Sequence, residues 1–326
     1  MKNLKKIELH LHLEGAAPPG FIRGLAAEKG ADLTGVFDAR GHYAYRDFDD
    51  FLRVYEAATS VIATPEDYAR LLGEVLQNCA EEGAIYVEFF VSPEFCGGGD
   101  LSAWRDYLAA MEATAKSMAA QGIDSRAIVT PIRHFGPDRA RKSAICAAET
   151  GSSDGAGWVT GLGLAGDEAV GKPQDFAWCF DCAREAGLGL TCHAGEWGGP
   201  QSVRDALSLG ITRVGHGVRA IEDAELVREL AHRGTVLEVC PGSNVALGLY
   251  PDWPSHPIAR LADAGVRVTV STDDPPFFHT TLGREYDRLA DAFGWAEAEF
   301  AALNRNAAEA AFCDKTTRER LLAAFA

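Results

Sequence analysis

The chain has 326 residues, 47% of them hydrophobic, with 47 aspartates and glutamates against 31 lysines and arginines. The net charge of −16 repels phosphate backbones and anionic headgroups, which argues against nucleic acid or a membrane as a partner. The sequence has neither an apolar run of about 20 residues nor a signal-peptide pattern. With its eight cysteines scattered along the chain, we expect a protein of the reducing cytoplasm.

The first predicted element is a strand that carries two histidines. Within the run Ile7 to Leu13, His10 and His12 lie two residues apart, so they point to the same face of a strand. Two imidazoles on one rigid face form half of a site for a divalent metal. The pattern alone is weak, because two polar residues on a half-buried strand have the same spacing.

A segment of about residues 31–63 fits no regular alternation and is predicted to be an insertion after the first strand. In its second half, Phe48, Phe51, Leu52 and Tyr55 lie at helical spacing. These side chains could form a lid over a site or bury one face of a helix. The second interpretation is favoured for Phe51 and Tyr55.

Short apolar runs that follow a glycine recur along the rest of the chain. Glycine is typical of the position just past a helix, and a short β-branched run after it is typical of a buried strand. Such runs lie at 84–91, 188–193, 211–216, 235–240 and 266–271, and a further run ends at 127–129. With the first strand and a further one at 158–164, they predict eight strands that alternate with helices.

This alternation predicts the α/β class and a parallel (β/α)₈ TIM barrel. A doubly wound open sheet is the alternative, but no G-x-G-x-x-G opens a helix. Residues of about 294–326 are predicted to be helices that pack on the barrel. Because no linker-like segment divides the chain, residues 1–326 are expected to form one domain.

The polar residues of this predicted barrel collect where strands end, which is where barrel enzymes carry their reactive groups. Three histidines and one aspartate suit Zn²⁺ with a position left for water, and the predicted ligands are His10, His12, His193 and Asp273. His216 and Glu196 lie on the same rim and are predicted to transfer protons during the reaction. Asp274 follows a ligand and is expected to face the substrate.

Five motifs in this order resemble the adenosine deaminase family of metal-dependent barrel hydrolases. They are H-x-H-L-x-G at 10–15, G-D-E at 166–168, H-A-G-E at 193–196, G-H-G at 215–217 and S-T-D-D-P at 271–275. The resemblance runs from Ile7 to about Pro275. It implies one zinc ion per chain, attack of zinc-bound hydroxide on C6 of a 6-aminopurine, and release of ammonia.

The same resemblance implies roles for individual residues. Glu196 protonates ring N1, and His216 positions and deprotonates the water. Asp274 hydrogen-bonds N7, the Gly166 backbone N–H meets N3, and His12 and Glu14 contact the substrate.

The resemblance leaves the substrate open. Adenosine, converted to inosine and ammonia, is the first expectation. Adenosine-specific members usually carry aspartate at the position of Glu14, where it reaches the ribose; glutamate there, and the run 87–90, resemble adenine and aminodeoxyfutalosine-type deaminases. The segments 164–168 and 240–245 instead resemble the nucleoside branch, so adenine or a larger 6-aminopurine is the alternative.

Two other classes of function fit the sequence less well. A different barrel metallohydrolase would often use two metals bridged by a carboxylated lysine, but the only lysine near the end of the fourth strand is Lys172. A non-catalytic binder of metal or nucleoside would need no proton relay, and Glu196 and His216 argue against it. The sequence predicts no oligomeric state.

Overall fold

Eight parallel strands run in chain order around one barrel. In the computed structural model, which describes residues 1–2 and 4–326, each strand pairs in parallel with the next. The strands are β1 Lys6–His12, β2 Ala84–Val91, β3 Asp124–Val129, β4 Val159–Leu162, β5 Gly189–Ala194, β6 Arg213–His216, β7 Val236–Val239 and β8 Arg267–Val270.

The barrel closes between its first and last strands at the end that carries the predicted site. Leu11 forms a parallel bridge with Asp273. The His12 N–H donates to the Asp273 carbonyl, and the Asp273 N–H donates to the His10 carbonyl, both at 3.1 Å. The (β/α)₈ prediction is therefore confirmed, and an open doubly wound sheet is excluded.

Helices surround the strands. In the described part of the chain there are thirteen: α1 Pro19–Lys29, α2 Phe48–Thr59, α3 Pro65–Glu81, α4 Leu101–Ala119, α5 Pro137–Thr150, α6 Ala177–Glu185, α7 Pro200–Leu207, α8 Ala224–Arg233, α9 Pro241–Ala246, α10 Ile258–Asp263, α11 Leu282–Phe293, α12 Glu297–Ala310 and α13 Lys315–Ala323. None of them is both long and apolar enough to cross a membrane.

The ends of these helices follow from local sequence. Helix α3 begins with a capping box, in which Thr64 and Asp67 satisfy each other's backbone N–H groups and Pro65 occupies the first turn. Helix α8 ends at Gly234, whose φ of +67° is left-handed and therefore favours glycine. The short strand β7 directly follows Gly234, as the glycine pattern predicts.

Two additions to the simple barrel alternation matter for the site. Helices α1 and α2, joined by an irregular segment over residues 30–47, lie between β1 and α3; α2 falls within the region of about 31–63 predicted as an insertion, whereas α1 precedes it. Helix α12 packs against β1 and β8, and α13 packs on α12. That the whole chain forms one domain stays a prediction.

Candidate metal and catalytic centre

The four residues predicted to bind metal converge at the mouth of the barrel. The Oδ1 atom of Asp273 lies 3.3 Å from Nε2 of His12 and 3.4 Å from Nε2 of His10. The Nε2 atoms of His12 and His193 are 3.2 Å apart. Two atoms bound to zinc at about 2.0–2.1 Å in tetrahedral geometry lie about 3.4 Å apart. These separations are therefore those expected of ligands that share one ion.

The chemistry of the donors fits a cation as well. Nε2 of His10 is buried and has no hydrogen-bond partner among the described residues. Burial, together with the neighbouring His10 and His216, holds the pKa of His193 well below its ordinary value, so its imidazole is neutral. The nearby imidazoles of His10 and His12, within 3.4 Å of its Oδ1, outweigh burial and keep the pKa of Asp273 well below its ordinary value. The neutral imidazole of His193 and the ionised carboxylate of Asp273 are the forms that bind metal.

Glu238 fixes the orientation of His10. The Nδ1–H of His10 donates to Oε2 of Glu238 at 2.8 Å, which leaves Nε2 free to face Asp273. The other oxygen of Glu238 accepts from the Thr191 hydroxyl at 3.0 Å and from the Arg213 guanidinium. A carboxylate behind a metal-binding imidazole sets its tautomer and raises its basicity.

Two site residues have a left-handed backbone. The φ angles are +66° at Asp273 and +59° at His216, and neither residue is glycine. Such conformations are uncommon outside glycine and cost free energy, so they persist where the surrounding structure holds them. His216 ends β6, and Asp273 lies three residues past the end of β8, both at the rim of the barrel.

Glu196 and His216 face each other beside this cluster. Oε2 of Glu196 lies 3.6 Å from Nε2 of His216, which in turn lies 4.0 Å from Oδ2 of Asp273. Burial, reinforced by the negative charges of Asp273 and Glu168, holds the pKa of Glu196 well above its ordinary value. Burial lowers the pKa of His216 to about 4. Glu196 is therefore a neutral acid and His216 a neutral imidazole.

A chain of hydrogen bonds sets the tautomer of His216. The backbone N–H of Ile258 donates to Nδ1 of His256 at 3.2 Å, so the proton of that imidazole lies on Nε2. That proton is donated to Oδ1 of Asn244 at 3.1 Å, which turns the Asn244 amide nitrogen toward Nδ1 of His216 at 3.3 Å. The neutral His216 ring therefore carries its own proton on Nε2, the atom that faces Glu196.

Asp274 points into the pocket with an unused oxygen. Its Oδ1 is buried without a hydrogen-bond partner in the described parts of the chain. Burial, with the adjacent charge of Asp273, raises its pKa well above the ordinary value. A Cβ atom on Gly15 would lie 1.6 Å from this oxygen, so the glycine of the first motif is required by close approach.

The predicted metal ligands other than His10, together with Glu196, His216 and Asp274, form the floor of one pocket. Its walls come from helix α2, from the loops after β2, β3 and β4, and from segments near α9 and α11; its lining comprises His12, Phe48, Phe51, Leu52, Tyr55, Glu56, Phe95, Ile132, His134, Ala165, Gly166, His193, Glu196, His216, Leu247, Asp273, Asp274 and Phe278. The ring of Phe48 lies 5.0 Å from that of Trp197. An apolar, aromatic mouth thus covers a polar floor, as in many small-molecule sites.

The sequence matches the adenosine deaminase family model over residues 5–326. The chain belongs to the adenosine deaminase family. An adenine deaminase from Rhizobium leguminosarum bv. trifolii (strain WSM2304) is 50% identical over 322 residues, which cover 98% of each chain. Membership makes this protein an enzyme, a metal-dependent hydrolase that acts on C–N bonds, as the motifs predict.

Solved structures of related enzymes share the fold. An adenine deaminase from Arthrobacter aurescens is 27% identical, with a TM-score of 0.88 over 99% of this chain and 98% of that one. An amidohydrolase from Burkholderia ambifaria with bound Zn is also 27% identical, with a TM-score of 0.87 over 99% of this chain and 89% of that one. The similarity extends over the whole barrel and its added helices.

Within this family framework, Glu14 occupies an unexpected position. His12, Gly166 and Asp274, predicted to bind substrate, line the pocket, whereas Glu14 does not. Glu14 is buried behind the pocket, and its Oε1 accepts the Tyr68 hydroxyl at 3.0 Å. Burial raises the pKa of Glu14 to about 7.

The remaining candidate residues differ in whether they line the pocket. Lys172 is exposed and lies outside the pocket lining, so no lysine of the described lining can bridge two metals. His134 also lines the pocket and accepts the Asp167 N–H at Nδ1. Glu238 was missed although a signal exists: it is a lone charge inside the otherwise apolar strand β7, and such a charge needs a buried partner.

Proposed function

We propose that this deaminase of 6-aminopurines acts on free adenine and produces hypoxanthine and ammonia. The observation that carries the proposal is the position of Glu14, whose carboxyl group bonds Tyr68 instead of lining the pocket. The carboxyl group that the family resemblance associates with ribose is therefore absent from the pocket lining, and the lining carboxylate Glu56 faces His134 at 3.7 Å. Adenosine, the first expectation from the sequence, becomes the alternative.

The named relatives support free adenine as the substrate. At 50% identity over 98% of the chain, the Rhizobium relative is named an adenine deaminase, and so is the Arthrobacter structure. Nucleotides are disfavoured for an electrostatic reason. Among the described lining residues there is no lysine or arginine to pair with a phosphate, and the chain carries a net charge of −16.

We propose that His10, His12, His193 and Asp273 hold one zinc ion. Three imidazoles and a carboxylate, with separations of 3.2–3.4 Å between three pairs of their donor atoms, support zinc, and the related Burkholderia structure contains Zn. Such an ion, when bound, lowers the pKa of a water from about 15.7 to about 7 and so supplies hydroxide at neutral pH.

The protein's own residues then supply protons to the purine ring. Attack at C6 moves an electron pair toward N1, and neutral Glu196 is the acid that can donate a proton there. Asp274, kept protonated by burial and by the charge of Asp273, donates to N7. The backbone N–H of Gly166, in the pocket wall, is assigned to N3.

The tautomer of His216 changes the role that the family resemblance implies for this residue. Because its Nε2 carries the proton in the neutral ring, His216 enters the reaction as a hydrogen-bond donor. We therefore assign it to orienting the attacking oxygen and stabilising its negative charge. Removal of the water's proton by His216, which the resemblance implies, would need the opposite tautomer.

The test is ammonia release from adenine, adenosine and AMP at equal concentrations. We expect kcat/KM for adenine to exceed that for adenosine by at least about 100-fold, because an unpaired sugar hydroxyl or an overfilled pocket each costs a few kcal/mol. Equal or faster turnover of adenosine would overturn the choice of free base. Glu196→Gln serves as the inactive control for contaminating deaminases.

A further inference from the structure

A single carboxylate holds the loop that follows β5. Oε1 of Glu168 accepts the backbone N–H of Gly195 at 2.6 Å and the hydroxyl of Ser202. Its Oε2 accepts the N–H groups of the next three residues, Glu196 at 3.0 Å, Trp197 at 2.7 Å and Gly198 at 2.8 Å. Glu168 thus satisfies four successive backbone donors, one of which belongs to Glu196.

The arrangement requires an acceptor with negative charge. A carboxylate offers about four lone-pair positions, whereas an amide replaces one oxygen by an NH₂ group that would face N–H donors. Burial alone would raise the pKa of Glu168, but the hydrogen bonds from Ser202, Gly198 and Gly195 outweigh it, and the pKa lies below the ordinary value. The loop approaches closely, since a Cβ on Gly198 would lie 2.5 Å from Oε1 of Glu168.

The opposite side of the loop is held by Arg219. Its guanidinium donates to the Trp197 carbonyl, and its backbone N–H donates to the Gly195 carbonyl at 2.9 Å. The N–H groups of the loop therefore face Glu168 while two of its carbonyls face Arg219. These two anchors hold both sides of the backbone at Glu196, whose side chain lies 3.6 Å from His216.

We propose that Glu168 is a positioning residue that holds the loop 195–198 so that Glu196 meets the substrate. The proposal rests on the acid role proposed for Glu196. Glu168 is absent from the pocket lining, so it acts through the loop and not by contact with the purine. A displacement of about 1 Å of a reacting group can cost about 100-fold in rate.

The first test compares Glu168→Gln with Asp167→Asn. Both changes remove one negative charge without changing side-chain size, but the Asp167 carboxylate accepts the N–H of Ala169 and lies outside the pocket lining. We expect Glu168→Gln to lower kcat about 100-fold with little change in KM and with wild-type metal content. Asp167→Asn is expected to retain wild-type kcat. Wild-type kcat in Glu168→Gln would overturn the proposal.

The second test is amide hydrogen exchange of the peptide that covers 195–198. In Glu168→Gln these amides should exchange faster than in the wild type, because their shared acceptor is weakened. A fall in kcat with unchanged exchange would mean that Glu168 does not act through the loop, and would also overturn the proposal.

If Glu168→Gln does not fold, as judged by circular dichroism, Ser202→Ala frees one side of the carboxylate. It should show the same changes in kcat and exchange to a smaller degree, and wild-type behaviour would count against the proposal.

The proposed acid role can fail separately. If Glu196→Gln were fully active, the role of Glu196 would fall, and with it the expected effect of Glu168 on kcat. The exchange measurement would still report whether Glu168 holds the loop. The two failures therefore give different results.

Discussion

His10 and Glu238 form a hydrogen bond of 2.8 Å in which both side chains are completely buried. The bond joins a candidate metal ligand on β1 to strand β7. Glu238 is itself paired with Arg213, which reaches on to Glu88 at 2.6 Å. Inside a barrel whose strands are mostly apolar, this row of charges is stable because each member has an opposite partner.

We expect Glu238→Gln to weaken metal binding by about 10- to 100-fold, because the imidazole of His10 loses a charged acceptor behind it. The measurement is a competition titration of the metal against a chelator of known affinity. Glu94→Gln is the matched control, since Glu94 is also a buried carboxylate but bonds Ser92 and Ser143 away from the cluster. Equal metal affinity in Glu238→Gln and the wild type would contradict the role assigned to the bond.

Removal of the metal should abolish turnover and also reduce stability. A ligand that binds only the native state stabilises it by about 4 kcal/mol when present at about 1,000 times its dissociation constant. We therefore expect the chelated protein to be inactive and to melt at a lower temperature, and added Zn²⁺ to restore both properties. Activity that survives complete metal removal would contradict the ligand set His10, His12, His193 and Asp273.

Glu196→Gln should lower kcat by about 10²- to 10⁴-fold, because the general acid is lost. Metal content should remain that of the wild type, since Glu196 is not among the four ligands. Steady-state kinetics and metal analysis on the same preparation check both statements. A variant with kcat within tenfold of the wild type would remove Glu196 from the proposed mechanism.

The barrel and the convergence of the site could be predicted because both follow from local patterns. Gly234, just past α8, marks the end of a helix and the start of a strand. His193 and Asp273 could be grouped because parallel strands of a barrel end on the same rim. These inferences need only the spacing of residues in the chain and the rule that strands of one barrel share a direction.

Side-chain orientation could not be predicted in the same way. Glu14 lies two residues beyond His12, and its spacing is compatible with the pocket, yet Tyr68 from α3 binds its carboxyl group behind the pocket. Glu168 was noticed as part of a motif, but its role depends on a loop about 30 residues later. Contacts between distant segments depend on packing, and periodicity does not determine them.

The helix α2 carries the next prediction. Its spacing was compatible with either a lid or a buried face. Phe48, Phe51 and Tyr55 pack on the core and also line the pocket, and the lid stays a prediction. Phe48 meets Trp197 across the mouth. Phe48→Ala should raise KM for adenine by about five- to tenfold, because apolar contact with the base is lost and water enters.

The control for this prediction is Phe293→Ala, which removes a partly buried ring that is not part of the pocket lining. It should leave KM unchanged even if it lowers stability. An unchanged KM in Phe48→Ala would mean that Phe48 serves only to pack the helix.

Glu285 gives a prediction about stability and pH. Its carboxyl group accepts the Gly242 N–H at 2.9 Å and bonds the Thr280 hydroxyl, and burial raises its pKa to about 8 from an ordinary 4.5. Since the native state holds this proton more tightly than the unfolded chain, the group's contribution to stability is fully present below about pH 4.5. That contribution is lost as the pH rises through about 8.

Glu285→Gln keeps the shape of the side chain but stays neutral at every pH. Its free energy of unfolding, measured with urea between about pH 5 and about pH 8.5, should therefore improve relative to the wild type as the pH rises. Thr280→Val removes a hydrogen-bond partner but keeps the titrating carboxyl group, so its stability should still fall with rising pH as the wild type does. Parallel curves for Glu285→Gln and the wild type would show that Glu285 is already ionised in the native protein, contrary to the effect of its burial.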